Sequence, residues 1–144
     1  SKSISIITMW HVLEHIPDIE NVLLETSRLI KDNGVIFIAV PNHLSWDAKY
    51  YKNYWAAWDT PIHLWHFSEK TIKLLFKRYH FELVKTKPMV FDSFYVSLLS
   101  EEYKTGSKNY IKSFIIGLLS NIIAIFSKKG YSSNIYIFKK TKTI

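Results

Sequence analysis

Two apolar runs constrain this chain more than anything else in it. Ser5–Met9 (SIITM) and Val35–Val40 (VIFIAV) are short, rich in β-branched residues and nearly free of polar ones. Runs of that length and composition read as strands covered on both faces, as in parallel sheets. The residues between them read as a helix. Pro17 suits its first position, where a missing N–H has no intrahelical partner to lose. Asp18 and Glu20 follow in the first turn, facing the positive end of the helix dipole. Ile19, Val22, Leu23, Leu29 and Ile30 share one helical face, and Asp32-Asn33-Gly34 is the expected stop, with Gly34 at positive φ. Strand, helix, strand implies a parallel crossover. The turn after the first strand carries Trp10 and His11, and the carboxyl end of a strand is where open α/β sheets place ligands.

Beyond residue 42 the pattern loosens and then resumes. Residues 43–67 hold Trp46, Tyr50, Tyr51, Tyr54, Trp55, Trp58, Trp65 and Phe67, with His43, His63 and His66 among them. A short helix fits within 45–54. The rest reads as a long aromatic loop, either a binding wall or lid or a satellite core. Ser68 is an N-cap for a helix with the stripe Ile72, Leu75, Phe76, Tyr79. Phe81–Thr86 alternates as a strand, Asp92–Tyr103 reads as helical, and Ser133–Lys139 is a final strand followed by a tail expected to fray.

Ile111–Phe126 is apolar but shorter than the roughly 20 residues a spanning helix needs. Its small and polar residues, Ser113, Gly117, Ser120, Asn121, Ala124 and Ser127, fall on one narrow stripe. A packing helix, ended by Lys128, Lys129 and Gly130, is the favoured reading, and a membrane-surface helix over 111–129 the alternative.

With 144 residues and 48% apolar content, the chain is one domain with a real core and not a disordered segment. The absence of Cys excludes disulfides, a thiol nucleophile and thiolate metal ligation. It also fits a reducing compartment, so a cytoplasmic location is expected. The chain opens on Ser, with a strand almost at once and no signal-peptide pattern, so it is expected to be a piece of something longer. The net charge of +7 gathers in residues 101–144, where 8 Lys stand against 2 Glu. That reads as a solvated basic face, with peripheral contact to anionic lipid next. No Arg-rich aromatic stripe marks a nucleic-acid partner.

ITMWHVLEHIPD, a helix, NGVIFIAVPN, and then HLWHF with Ser68 and an amphipathic helix resemble the second half of a class I S-adenosylmethionine-dependent methyltransferase, of the type 11/12/23 branch. The resemblance covers about residues 4–87 well and 133–140 adequately, and leaves a helical insert over 90–130 outside it. It implies an α/β fold, half of a Rossmann-like sheet with strands equivalent to 4-5-7-6, the last one antiparallel. It implies that Met9, Trp10 and His11 line the S-adenosylmethionine pocket, and that the acceptor is a small molecule. Two positions depart from the branch: Ser5, where Asp usually opens the strand, and Ile62, where relatives often carry Arg. The family's glycine-rich loop and its ribose-binding acidic residue have no counterpart, because the four glycines (Gly34, Gly106, Gly117, Gly130) are far apart. The chain is therefore expected to bind the cofactor weakly or not at all by itself. An apolar strand edge left open is expected to pair, in a homodimer or with the missing half, and the alternative to an enzyme is a non-catalytic interaction module that dimerises through this edge.

Methyl transfer to oxygen needs proximity to the sulfonium and removal of one proton. His15, His63 and His66 are the candidate bases. His11, Glu14 and His15 fall at i, i+3, i+4, and with His63 or His66 they would also suit a divalent ion. The preferred reading makes Glu14 and His15 polar caps at the helix entry and assigns no metal.

Overall fold

The computed structural model describes residues 2–127 and 130–141. Four strands form one sheet, β1 (Ile4–Trp10), β2 (Ile30–Pro41), β3 (Phe81–Pro88) and β4 (Ser133–Lys140), in the order β1-β2-β4-β3. β1 and β2 run parallel, and β4 is antiparallel to both of its neighbours. This is the half-sheet expected from the resemblance. The carboxyl ends of β1, β2 and β3 therefore lie at one end of the sheet.

Helices α1 (Ile19–Leu29) and α3 (Glu69–Lys77) supply the main core. Leu23 of α1 and Ile72 and Phe76 of α3 are buried with Ile36 and Ile38 of β2 and Tyr136 and Phe138 of β4. Phe76 stacks on Phe138 with ring centroids 4.1 Å apart. The register pairs Ile36 with Phe138 and Ile38 with Tyr136, which puts these side chains on one face of the sheet. Ser68 caps α3 through a reciprocal box with Thr71.

The first crossover differs from expectation in three places. Asp18, not Pro17, starts α1: its carboxyl accepts the Asn21 N–H, and Pro17 lies one residue outside. The helix ends at Leu29, and Ile30 is already strand. Asp32-Asn33-Gly34 does not stop the helix. It forms a bulge in β2, where the pairing jumps from Ile4–Ile30 to Ile6–Val35. Gly34 is needed there for its missing side chain and not for positive φ, because a Cβ would lie 2.4 Å from Cγ1 of Ile30. Lastly, β1 is not covered on both faces. It pairs with β2 alone among the described residues, and Ile6 is 61% exposed.

The aromatic segment builds a second core. Helix α2 (Trp46–Tyr51), capped by Ser45, is followed by two single 3₁₀ turns over 52–54 and 56–58. Tyr51, Trp55, Ala56 and Ala57 pack with Val96 of α4 (Asp92–Thr105) and Ile116 of α5 (Tyr110–Phe126). Asp47, fully buried, ties these parts together. Its carboxyl accepts hydrogen bonds from Trp55 Nε1 (2.8 Å), Ser120 Oγ (2.8 Å) and Ser132 Oγ (2.6 Å).

Helix α5 buries its small stripe, Ser113, Gly117, Ser120 and Ala124, together with Ile116. Ser93 of α4 donates to the Gly117 carbonyl at 3.1 Å. The large apolar residues Phe114, Ile115, Leu118, Ile122 and Ile125 face outward. No helix among the described residues is long and apolar enough to cross a membrane. The expected helix stop at Lys128 and Lys129 and the fraying of 142–144 lie outside the described residues.

Candidate active site

β1 ends at Trp10, and the chain then turns sharply. His11 sits at φ +50°, a region that non-glycine residues seldom occupy and that recurs at functional turns. Its backbone N–H still donates to the Ala39 carbonyl, so the turn stays fixed to β2. Leu13–His15 is a single 3₁₀ turn, too short for an α-helical face. It nonetheless brings Glu14 to His11, with Nδ1 3.2 Å from Oε1. Glu14 is 1% exposed, and its other oxygen, Oε2, has no hydrogen-bond partner.

His11 faces carboxylates on two sides. Besides Glu14, Asp92 Oδ2 at the start of α4 lies 3.4 Å from Nε2, an ion-pair distance without hydrogen-bond geometry. The hydrogen bond to Glu14 raises the His11 pKa above the usual imidazole range. Burial opposes that rise, and the charges of Asp92 and Glu14 add to it.

The Ile62–His66 segment is laid against this turn by backbone contacts. Leu64 N–H and Trp65 N–H both donate to the Glu14 carbonyl, and Trp65 Nε1 donates to the Ile16 carbonyl at 2.7 Å. His63 is thereby carried to His15, with ring centroids 4.6 Å apart in a T-shaped contact. His66 stands 6.4 Å beyond His63, and its Nε2 bonds the Trp58 carbonyl at 3.0 Å. The three histidines read as candidate bases thus form one row, although 48 residues separate His15 from His63.

A cavity of about 240 Å³ opens beside this row. His11, Asp59, His63, Asp92, Tyr95 and Tyr103 supply its polar lining, and Ala56, Ala57, Val96 and Leu99 its apolar part. Of the candidate bases only His63 lines it. His66 faces a different depression, beside Thr71 and Arg78. A larger cavity of about 590 Å³ lies at the start of α3, among Glu69, Lys70, Lys73 and Lys87. None of the histidines or β1-turn residues reaches it, so the smaller cavity is the better candidate for chemistry. Asp59, Asp92, Tyr95 and Tyr103 were not singled out from sequence. The α4 residues reach the cavity only through packing of a helix about 80 residues away in the chain, and periodicity does not report that.

The three cofactor residues expected from the resemblance occupy different environments. Met9 packs against the main core. Trp10 is 50% exposed at the sheet edge. His11 lines the cavity. An exposed indole beside the carboxyl end of β1 suits one wall of an S-adenosylmethionine site, while a glycine-rich wall is not supplied by these residues.

A family model described as a methyltransferase domain matches residues 1–86. Among curated proteins no sequence matches the chain. Solved structures give the same fold at low identity. An S-adenosylmethionine-dependent methyltransferase from Thermotoga maritima superposes with a TM-score of 0.60 at 16% identity, covering 98% of this chain and 57% of that one. A chain from the complex between the Haloferax volcanii Trm112 methyltransferase activator and a methyltransferase gives 0.59 at 10% identity, covering 99% and 56%. Haemonchus contortus phosphoethanolamine N-methyltransferase 2, bound to S-adenosyl-L-methionine, gives 0.54 at 16% identity, covering 98% and 34%. The chain thus spans little more than half of the first two and a third of the last. With a family model matched over residues 1–86 and a sheet in the order β1-β2-β4-β3, the chain belongs to the class I S-adenosylmethionine-dependent methyltransferases.

Proposed function

We propose that this chain is the acceptor-side half of an enzyme that moves a methyl group from S-adenosylmethionine to a small molecule. The observation that carries this reading is the cavity at the carboxyl end of β1, where His11 and His63 converge with Asp92. When bound, the cofactor supplies an electrophilic methyl group on a sulfonium. The chain's own residues do the rest. Trp10 offers an aromatic face to the cofactor, and a sulfonium cation is attracted to such a face. The His11–Glu14 pair holds the turn rigid, and the apolar side of the cavity limits water around the acceptor. His63 is placed to take the acceptor's proton, because its Nδ1 is engaged by the Ala57 carbonyl at 2.8 Å and its Nε2 is left with a lone pair.

The reading extends to the parent protein. Four scattered glycines cannot cradle the cofactor, so the glycine-rich wall is expected from sequence encoded upstream. The chain alone is expected to bind S-adenosylmethionine weakly and not to turn over. In the parent enzyme His63→Gln should lower methyl transfer by about 10²- to 10⁴-fold, the usual contribution of a positioned base. His66→Gln should leave the rate within a few-fold. Equal rates for wild type and His63→Gln would remove His63 from the chemistry.

The open edge of β1 favours a second reading, in which this strand pairs with another chain, either a second copy or the remainder of the enzyme.

A further inference from the structure

Glu14 presents a problem that the methyl-transfer reading does not use. Its carboxyl group is 1% exposed, and Oε1 is met by His11 while Oε2 has no partner. A buried carboxylate oxygen left unpaired costs free energy that native proteins seldom leave uncompensated. His15 and His63 stand beside it, and one donor atom from each of Glu14, His15 and His63 lies within 4.8 Å of the other two.

The two histidines are already oriented. His15 Nδ1 lies 3.3 Å from the Ile62 carbonyl, and His63 Nδ1 lies 2.8 Å from the Ala57 carbonyl. A carbonyl only accepts, so each ring carries its proton on Nδ1 and keeps a lone pair on Nε2. A backbone carbonyl holding the far nitrogen is the outer-shell arrangement typical of metal-bound imidazoles. Asp59 Oδ2, 3.9 Å from His63 Nε2, adds negative potential on the same side. Neutral lone pairs facing carboxylates gain nothing from one another, whereas a cation shared among them satisfies all of them.

We propose that Glu14, His15 and His63 bind a divalent first-row transition ion of the zinc or cobalt type. Two imidazoles and one carboxylate are a donor set for such ions, with coordination positions left open. The three donor atoms all lie within 4.8 Å of one another, near enough for one ion at bond lengths of about 2.0–2.2 Å to gather them with small side-chain adjustments. His11, expected from sequence as a possible first ligand, is outside this group: its Nδ1 is met by Glu14 Oε1, and its Nε2 stands 3.4 Å from Asp92 Oδ2. His66 is also outside it, because its ring stands 6.4 Å beyond that of His63 and lines a different depression. With an ion bound, the His63 Nε2 lone pair is taken, so the ion, by polarising an acceptor oxygen in the cavity that His63 lines, would stand in place of His63 in easing loss of the acceptor's proton. That role rests on the acceptor reading above; the site itself does not.

Cobalt(II) titration of the metal-free 144-residue chain, followed by visible d–d absorption and by NMR of the histidine rings, tests the proposal. One equivalent should bind, and paramagnetic broadening should strike His15 and His63 before His43 and His66. Glu14→Gln and His63→Gln should each weaken binding by about 100-fold or more, beyond what loss of an outer-shell partner usually costs. His66→Gln should not change it. Circular dichroism checks the fold, and His15→Gln, at a half-exposed position, replaces either variant if it unfolds. No stoichiometric uptake by wild type, broadening centred on other histidines, or full affinity in a folded Glu14→Gln protein overturns the site. Perturbation of Trp10 by S-adenosylmethionine in the metal-free chain would leave the methyltransferase reading standing even so.

Discussion

At the scale of single residues, two buried carboxyl groups do different work. Asp47 is satisfied by Trp55, Ser120 and Ser132, and so ties α2, the aromatic turns, α5 and the approach to β4 together. Asp47→Ala strands three buried donors at once. At about 1–3 kcal/mol for each group left unsatisfied, and with partial relaxation, it should cost about 3 kcal/mol or more. Denaturant unfolding measures this, and a loss below about 1 kcal/mol would show that the hydrogen bonds do not hold the second core. Glu14 has one oxygen engaged and one unpaired, and it sits beside a residue in a strained conformation. The histidines were legible in the sequence as residue types. Their row was not, because it depends on two backbone N–H groups of the Ile62–His66 segment bonding the Glu14 carbonyl. The roles of Asp92 and Tyr95 were invisible for the same kind of reason: they arrive on α4, whose placement is set by Val96 and Ser100 against the aromatic turns.

At the scale of elements, β1, β3, β4, α4 and α5 were read to within two residues, whereas β2 begins five residues before the expected Val35 and α1 is bounded differently at both ends. VIFIAV announces β2 through its composition, but the bulge that precedes it is a matter of close packing against Ile30, which no local rule contains. The small-residue stripe of α5 was readable, and the structure gives its reason. A Cβ on Gly117 would lie 2.7 Å from Phe94 Cδ1 and 3.0 Å from the Phe94 Cα and N. The side chain could turn aside, but the backbone of α4 cannot. Gly117→Ala gains about 1 kcal/mol of helix propensity and loses about 1–3 kcal/mol to overpacking, so a net destabilisation of about 1 kcal/mol is expected. A rise in the denaturation midpoint instead would mean that α4 and α5 are not in this close contact. The aromatic segment shows the limit of reading one element at a time. Its eight large rings suggested either a wall or a satellite core, and the segment is both: Trp46, Tyr50, Tyr51, Trp55 and Trp58 pack in the second core with Val96 and Ile116, far along the chain, while Ala56, Ala57, Asp59 and His63 line the cavity.

At the scale of the whole molecule, the sheet is half of a methyltransferase sheet with one outer strand open. β1 presents Ile6 at 61% exposure, and its backbone pairs on one side only among the described residues. An edge of this kind lacks the inward charges and prolines that natural edges use against pairing. Sedimentation of the chain is expected to show concentration-dependent self-association that Ile6→Lys weakens. A wild type that stays monomeric at high concentration would count against pairing through β1. The strand order was legible because the family resemblance carries it. The cavity was not, since it forms where the β1 turn, the aromatic turns and α4 meet, and these lie far apart in sequence. The central claim is that the β1 turn is one wall of an S-adenosylmethionine site. It is tested most directly by titrating S-adenosylmethionine into the isotope-labelled chain and following the Trp10 indole and His11 resonances. Fast-exchange shifts centred on Trp10 and His11, with a dissociation constant near the millimolar range or about −4 kcal/mol, are predicted. Micromolar binding, shifts gathered instead at the Lys70–Lys73 cavity, or no shift at the β1 turn would contradict the account.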